Sequence, residues 1–334
     1  MPQFAEVVNE TGIDLKNNLM VVGVNGLNLL EVQGAPDLRW QVPNGIVISR
    51  VTKETFSKVG HSIQAQFQRW GLSDAEAAKK YWGEAAAAAN GGKDSQLYVV
   101  TGKAKGVYKL MGTSARGKMH IDVAVVPERK VKVAFKFVDF SDVPLLRNTT
   151  TKTPSDAKEL TKDLNWIYGP QANITFENIS ADSIKVDAYP PPEINPGTIG
   201  PLIADAVRNT PGNVLRPVYS DAFLKYVAPL KNTNADVTVF FVHTYLEPIH
   251  MGGSQTFPEE HVCAVADNPG TPVMKGYDVF VVVLAHEMAH FLLSSPKGTD
   301  DHFYNESGFL LAKGEESSRI VRKLLFRLHK MKDV

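Results

Sequence analysis

The residues with the clearest capacity for chemistry lie in the five-residue run HEMAH, which contains His286, Glu287 and His290. The two histidines are four positions apart, so on a helix their rings project from one face about one turn apart. Two imidazole nitrogens placed in this way can share one tetrahedral metal ion, and zinc is an ion that such ligands bind. Glu287 would then lie beside the metal, where its carboxylate can take a proton from an attacking water. The run therefore predicts a zinc site with a general base next to it.

The sequence around this run predicts the helix that the arrangement requires. The segment DVFVVVLAHEMAHFLLSS is apolar outside the run, and Asp278 is its expected N-cap. Two histidines and a glutamate are costly to bury in such a helix unless a metal ion or polar partners compensate. We therefore interpret His286 and His290 as zinc ligands and Glu287 as the general base of peptide-bond hydrolysis.

A catalytic zinc site needs a third protein ligand and keeps one position for water. His302 is the first choice, because the turn Pro296-Lys297-Gly298 can bring the chain back over the helix. Asp301 is a second candidate, since the segment GTDDHFY can also present a carboxylate. Glu315 or Glu316, early in the last predicted helix, is a third candidate. The sequence leaves these alternatives open.

The remaining elements predict an α+β protein with two domains. Residues 1–128 are interpreted as a β-rich accessory domain with a helical insertion over TKETFSKVGHSIQAQFQRW and SDAEAAKKYWGEAAAAA. Residues 129–334 are interpreted as the catalytic domain. This part begins with the alternating strand RKVKVAFKFVDF, a helix that we expect to end at Gly169-Pro170, and the strand ANITFENIS. Two further strands, ADVTVFFVHTY and HVCAVAD, precede the HEMAH helix, and the basic amphipathic helix SSRIVRKLLFRLHK follows it.

The order of these parts, from about Arg129 to the C-terminus, resembles the metzincin clan of zinc peptidases. The resemblance implies a zincin-like catalytic domain, in which a mixed sheet supports the active-site helix and one Zn2+ serves as cofactor. It implies endopeptidase activity on a protein or peptide substrate, and it maps the third zinc ligand onto His302. It also implies that an extended peptide lies along an edge strand, here Val262 to Asp267. The clan has a glycine after the second histidine where this chain has Phe291-Leu292-Leu293.

Two shorter resemblances concern a segment after the HEMAH helix and a segment before the catalytic part. GTDDHFYN is similar to the aspzincin pattern G-T-x-D-x-x-Y-G, which implies Asp301 as the third ligand and Tyr304 as a hydrogen-bond donor to the transition state. Tyr304 could act as that donor with either third ligand. TGKAKGVYKLMGTSARGKMHIDVAVVP resembles the end of a bacterial immunoglobulin-like domain, which implies that the accessory domain anchors or positions the enzyme.

Composition narrows the classes of partner and the compartment. Lys plus Arg equals Asp plus Glu at 36 each, so no overall charge favours nucleic acid or an anionic membrane. No apolar run reaches the roughly eighteen residues of a spanning helix, and no glycine-rich phosphate loop is present. The single cysteine, Cys263, is expected to be a buried, inert thiol. The N-terminus lacks a secretory signal pattern, which predicts cytoplasmic synthesis and leaves leaderless secretion open.

A second functional class remains compatible with the same residues. The chain could be a binding or toxin-type protein with a zincin-like domain whose metal is structural or whose activity is lost. The number of protein ligands distinguishes the two classes, because a fourth ligand, such as Asp301 joining His302, would close the position that water needs.

Overall fold

The computed structural model describes most of the predicted strands and the HEMAH helix. The residues that it describes are 3–5, 12–15, 18–72, 95–139, 141–142, 149–185, 228–242, 255–266, 279–294, 310, 320 and 322–330. Over these residues the fold is mixed, with several sheets, many strands and few helices. The predicted combination of helices and strands is confirmed at this level. The second half of the predicted helical insertion, residues 73–89, lies outside the described residues.

The chain forms two compact units that do not follow a single cut in the sequence. The first unit comprises Met1–Lys130, Lys162–Thr175 and Ser317–Val334, and the second comprises Val131–Thr161 and Phe176–Glu316. The predicted domain boundary after residue 128 stays a prediction, since compact units of this kind need not coincide with domains.

Nine strands of the first unit, among the described residues, form two sheets. One has the order β1-β4-β7-β6 and the other β2-β3-β9-β8-β5. Helix α1, Lys53–Arg69, lies in the chain between β6 and β7. The strands are β1 (Gln3–Ala5), β2 (Ile13–Asp14), β3 (Leu19–Gly23), β4 (Leu27–Gln33), β5 (Arg39–Gln41), β6 (Ile46–Arg50), β7 (Ser95–Gly102), β8 (Gly106–Ser114) and β9 (Gly117–Val126).

Strand β4 shows why these two sheets and α1 pack in layers. Successive side chains of a strand point to opposite faces of the sheet. Leu30 therefore joins an apolar cluster with Val123 of the other sheet, whereas its neighbour Leu29 packs with Ile63 and Phe67 of α1. The sheet β1-β4-β7-β6 is thus covered by the other sheet on one face and by α1 on the opposite face. The first unit is a β-sandwich with a helix on its outer side.

The predicted helix end at Gly169-Pro170 is wrong, because helix α2 continues past these residues. It spans Ala157–Ala172 and contains Pro170, which costs the last turn one backbone hydrogen bond. The helix ends instead at Asn173, whose φ of 51° lies in the left-handed region that Asn tolerates. The Asn173 side chain accepts a hydrogen bond from Trp70 Nε1 at 3.2 Å and donates one to the Val126 carbonyl at 3.2 Å. These tertiary contacts hold the helix end at a residue that local sequence did not mark.

The second unit is built on a five-stranded sheet with the order β11-β10-β12-β14-β13. Strands β10, β12 and β14 are parallel, and the short β13 is antiparallel to β14. Helix α3, Val279–Leu293, follows this sheet in the chain. The strands are β10 (Arg129–Asp139), β11 (Ile174–Lys185), β12 (Val237–Val242), β13 (Gln255–Phe257) and β14 (Val262–Ala266), the first residues of β10 and β11 belonging to the first unit.

The predicted edge strand, Val262 to Asp267, is wrong in its position in the sheet. Strand β14 lies between β12 and β13, so β13 is at that edge of the described sheet. The reason is that β13 has only three residues, too few to show the alternation by which a strand is recognised. A 3-10 helix over Pro258–Glu260 follows β13. His261, with a φ of 58°, then turns the chain into β14.

Aromatic contacts fill the core of the second unit. Phe241 of β12 packs against Phe135 and Phe137 of β10, with ring centroids 5.2 Å and 5.0 Å apart. Phe280, in the first turn of α3, lies 5.5 Å from the Phe241 ring. The sheet and the helix that carries HEMAH thus share one apolar core, which holds the helix in place.

The C-terminal helix predicted over SSRIVRKLLFRLHK is confirmed for Arg322–Leu328, which form α4. Its apolar side chains Leu324, Leu325 and Leu328 are buried. Within the described part of the chain, no helix is both long and apolar enough to span a membrane.

His329, directly after α4, makes the first unit sensitive to acid. The side chain is 8% exposed, and its Nε2 donates to the Ala172 carbonyl at 2.6 Å. Burial lowers the pKa of His329 to about 4, and the charges of Arg129 and Lys105 act in the same direction. The unfolded chain binds the proton at about pH 6.5. Stability is therefore lost as the pH falls from about 6.5 towards 4, because only the unfolded state gains the proton over that range.

We expect the His329→Gln variant to lose less stability on acidification than the wild type. Gln can still donate to the Ala172 carbonyl but does not titrate, and the difference in unfolding free energy should be on the order of 3 kcal/mol at most. Urea unfolding at about pH 7.5 and about pH 4.5 measures this difference. The exposed His120→Gln variant is the control. Equal acid sensitivity of His329→Gln and the wild type would contradict the assignment.

Candidate metal centre

The helix that carries HEMAH is buried on almost all sides. From Phe280 to Leu292 of α3 only Val283 and His290 are partly exposed, and the helix packs against β13 and β14. A helix that is apolar all round is stable only inside a protein core. It ends where Ser294 adopts a φ of 50° and donates its N–H to the Phe291 carbonyl at 3.0 Å. Ser294 therefore ends the helix in the left-handed conformation that glycine adopts most readily.

The two histidines of the run lie together on one face of α3. Their Nε2 atoms are 3.0 Å apart, and the ring centroids are 4.8 Å apart with an interplanar angle of 73°. His286 is 6% exposed, whereas His290 is partly exposed. The arrangement brings two nitrogen donors to one point at the boundary of the core.

The protonation of His286 follows from its second ring nitrogen. Nδ1 lies 2.8 Å from the main-chain carbonyl oxygen of Leu310, which can only accept a hydrogen bond. Nδ1 therefore carries the proton, and in the neutral ring Nε2 is a lone-pair donor to a metal or an acceptor of a hydrogen bond. Metal-binding histidines commonly donate their other N–H to a carbonyl or carboxylate in this way. Leu310 thus sets the tautomer of His286 that a metal site needs.

The donor set fits a zinc ion. Two ligand nitrogens, each about 2.0–2.1 Å from a tetrahedral zinc, lie about 3.3 Å apart, which is within a few tenths of an ångström of the observed separation. Without a cation, the same contact requires a proton on His290 Nε2 that points at His286. A zinc ion would replace that proton and satisfy both lone pairs.

Glu287, which follows His286 in the helix, is buried and is held by a hydroxyl group. Its side chain is 6% exposed, and its Oε2 accepts a hydrogen bond from Thr256 Oγ1 at 2.6 Å. The same hydroxyl lies 2.9 Å from the Glu287 main-chain carbonyl and 3.6 Å from Cys263 Sγ. Glu287 is thus a buried carboxylate with a hydroxyl partner, a group that can accept a proton.

Cys263 lies on the sheet beneath the carboxylate and is fully buried, as the sequence predicted. Burial raises the pKa of the Cys263 thiol well above its usual range, and the charge of Glu287 raises it further, against the hydrogen bond from Thr256. The thiol is therefore protonated at neutral pH and is neither a nucleophile nor a metal ligand.

The other predicted site residues lie outside the described part of the chain. They are His302, Asp301, Tyr304, Glu315 and Glu316. Among the residues that the structure describes, no group of three or more His, Cys, Asp and Glu side chains could hold a metal ion. The described residues thus include a histidine pair and the buried Glu287 on the same helix, and the metal ligands and the general base stay predictions.

Two contacts of this centre could not have been found from the sequence. The Leu310 contact is made by a main-chain carbonyl, so no residue type marks it. Thr256 lies in a three-residue strand, thirty-one positions before Glu287. Its one signal is that a hydroxyl residue stands between Gln255 and the apolar Phe257, a pattern too short to predict a strand.

No protein-family model and no curated protein matches the chain. Among solved structures, a zinc-dependent peptidase from Methanocorpusculum labreanum is similar at 12% identity and a TM-score of 0.30, over 59% of this chain and 99% of that one. Domains 1–6 of the surface layer protein SbsC match at 13% identity and a TM-score of 0.21, over 39% of this chain and 13% of that chain. SbsC domains 4 and 5 match at 12% identity and a TM-score of 0.19, over 37% and 53%. This chain therefore spans only part of the surface layer structures, and likenesses this weak assign it no function.

We expect the thiol of Cys263 to be inert in the folded protein. Burial and the raised pKa both suppress formation of the thiolate that reacts with a thiol reagent. Labelling with an aromatic disulfide at about pH 8 should be slow in buffer and complete in guanidinium chloride. Rapid labelling of the native protein would show that the sheet beneath Glu287 opens readily.

Proposed function

We propose that the chain is a zinc-dependent endopeptidase in which His286 and His290 bind the metal and Glu287 is the general base. The observation that carries the proposal is the pair of Nε2 atoms 3.0 Å apart on the same buried helix as the Glu287 carboxylate. The proposal includes a zincin-like catalytic domain over residues 129–334. Residues 1–128 are proposed as an accessory domain of immunoglobulin-like type, in keeping with the sandwich of two sheets.

His302 is proposed as the third zinc ligand, with Asp301 as the alternative. Both follow α3 closely in the chain, so either can return to the face that carries the histidine pair. Tyr304 is proposed as a donor that stabilises negative charge on the carbonyl oxygen in the transition state. Three protein ligands would leave one position for water, as hydrolysis requires.

The proposed reaction uses Glu287 to move one proton. A bound zinc ion would supply Lewis acidity, which polarises the scissile carbonyl and makes a nearby water more acidic. Glu287 accepts a proton from the water while the water oxygen bonds to the carbonyl carbon. The carboxyl group then delivers that proton to the amine nitrogen as the C–N bond breaks. His286 is kept in one tautomer by Leu310 and therefore presents the same nitrogen throughout.

Strand β13 is proposed to bind the substrate. It is the last strand of the described sheet on the side of β14, and it carries the threonine that touches Glu287. An extended peptide can add to such an edge through main-chain hydrogen bonds, which fit many sequences. A peptide bound there would run past the general base, in keeping with an endopeptidase.

We expect the purified protein to contain about one zinc ion per chain. The His286→Ala and His290→Ala variants should each lose the zinc, because each substitution removes one of the paired nitrogens. Elemental mass spectrometry gives the metal content. His261→Asn is the matched control in the same unit, since His261 is exposed and bonds the Asp236 carbonyl, and Asn tolerates its positive φ. No zinc in the wild type, even after reconstitution, would refute the proposal.

The same measurement assigns the third ligand. Loss of zinc in His302→Ala with retention in Asp301→Ala would select the histidine, and the reverse result would select the aspartate. Retention in both variants would exclude His302 and Asp301 together as the required ligand.

We expect Glu287→Gln to keep its zinc but to lose cleavage of a peptide library by roughly 10²–10⁴-fold, because the amide cannot accept the proton. The matched control is Glu259→Gln, an exposed acidic residue on the same unit. Zinc content and cleavage rate should be measured on the same preparations. A wild type that binds zinc but cleaves no peptide would favour the binding or toxin-type protein with a structural metal.

A further inference from the structure

We infer that Thr256 is a positioning residue, whose hydroxyl group fixes the orientation of the Glu287 carboxylate. This inference rests on the proposed function, in which Glu287 is the general base. The Oγ1–Oε2 distance of 2.6 Å is shorter than that of an ordinary hydroxyl hydrogen bond. It is typical of a hydroxyl that donates to an ionised oxygen. The contact therefore holds Oε2 of Glu287 at one position.

The sheet determines where this hydroxyl lies. Thr256 of β13 is directly opposite Cys263 of β14 in the antiparallel register, so both side chains stand on one face of the sheet. The hydrogen bond between Thr256 and Glu287 identifies that face as the one towards α3. The β-branched side chain of Thr256 has few allowed rotamers, which limits the positions of its hydroxyl.

The carboxylate is the strongest of three acceptors near the Thr256 hydroxyl. Oε2 of Glu287 is at 2.6 Å, the Glu287 main-chain carbonyl at 2.9 Å and Cys263 Sγ at 3.6 Å. A hydroxyl has one proton to donate, and sulfur is a weak acceptor. Charge and distance both favour Oε2, because charge-assisted hydrogen bonds are roughly twice as strong as neutral ones.

A fixed Oε2 determines where the rest of the carboxylate lies. Because the group is planar, holding one oxygen limits rotation about the Cγ–Cδ bond and so places Oε1 as well. General-base catalysis requires an oxygen within hydrogen-bond distance of the water that loses its proton. Thr256 would thus act through Glu287, by reducing the fraction of carboxylate orientations that cannot reach the water.

The test compares Thr256→Val, which keeps the shape but removes the hydroxyl, with Thr256→Ser, which keeps the hydroxyl. We expect Thr256→Val to lower kcat about 10–100-fold, the usual effect of losing such a supporting contact, with KM and zinc content unchanged. Thr256→Ser should restore most of kcat. Cys263→Ala, which alters the opposite member of the same strand pair, is the matched control. Equal kcat values for Thr256→Val and the wild type would overturn the inference.

A second readout does not depend on activity. The Tm values of Thr256→Val, Glu287→Ala and the double variant form a cycle that measures coupling between the two side chains. We expect the Tm loss of the double variant to be smaller than the sum of the two single losses. Additive losses would overturn the inference. If the wild type shows no peptidase activity, the proposed function fails, while this cycle still decides whether Thr256 holds the carboxylate.

Discussion

The burial of two imidazoles and a carboxylate on an otherwise apolar helix is the constraint on which the rest of the second unit depends. Polar groups removed from water destabilise a protein unless hydrogen bonds or metal ligation compensate. Each group of this centre has such a partner: the Leu310 carbonyl for His286, the second histidine for the first, and Thr256 for Glu287. A helix with these requirements cannot simply slide or rotate on the sheet, because every partner would be lost together.

The sheet supplies the rigidity that such a centre needs. Strands β10, β12 and β14 run parallel, and phenylalanines of β10 and β12 pack with Phe280 in the first turn of α3. Sites built on helices and strands hold their geometry better than sites built on loops. The addition of β13 to this framework has a chemical consequence, since its one central side chain is the hydroxyl beside Glu287.

In the first unit, apolar clusters cover both faces of the sheet that contains β4 and β7. Alternate side chains of β4 and β7 contribute to the cluster between the sheets and to the cluster under α1. Gln66 of α1 bonds both the N–H and the carbonyl of Leu27 at 2.8 Å, which fixes the helix on the strand. Packing and hydrogen bonding thus hold α1 on this sheet.

The elements with a strong pattern could be predicted from residue order alone: the alternating strands, the apolar helix and the spacing of His286, Glu287 and His290 on it. Such patterns can be recognised because the buried face of a helix or strand requires apolar side chains at the repeat of that element. Three features could be seen only in the folded chain: α2 runs past Pro170, β14 lies inside the sheet, and Thr256 and Leu310 contact the residues of the HEMAH run. These features arise from contacts between residues far apart in the chain. A side chain or a main-chain carbonyl becomes a hydrogen-bond partner only because folding brings it close to the other group. Residue type and local spacing do not encode that proximity.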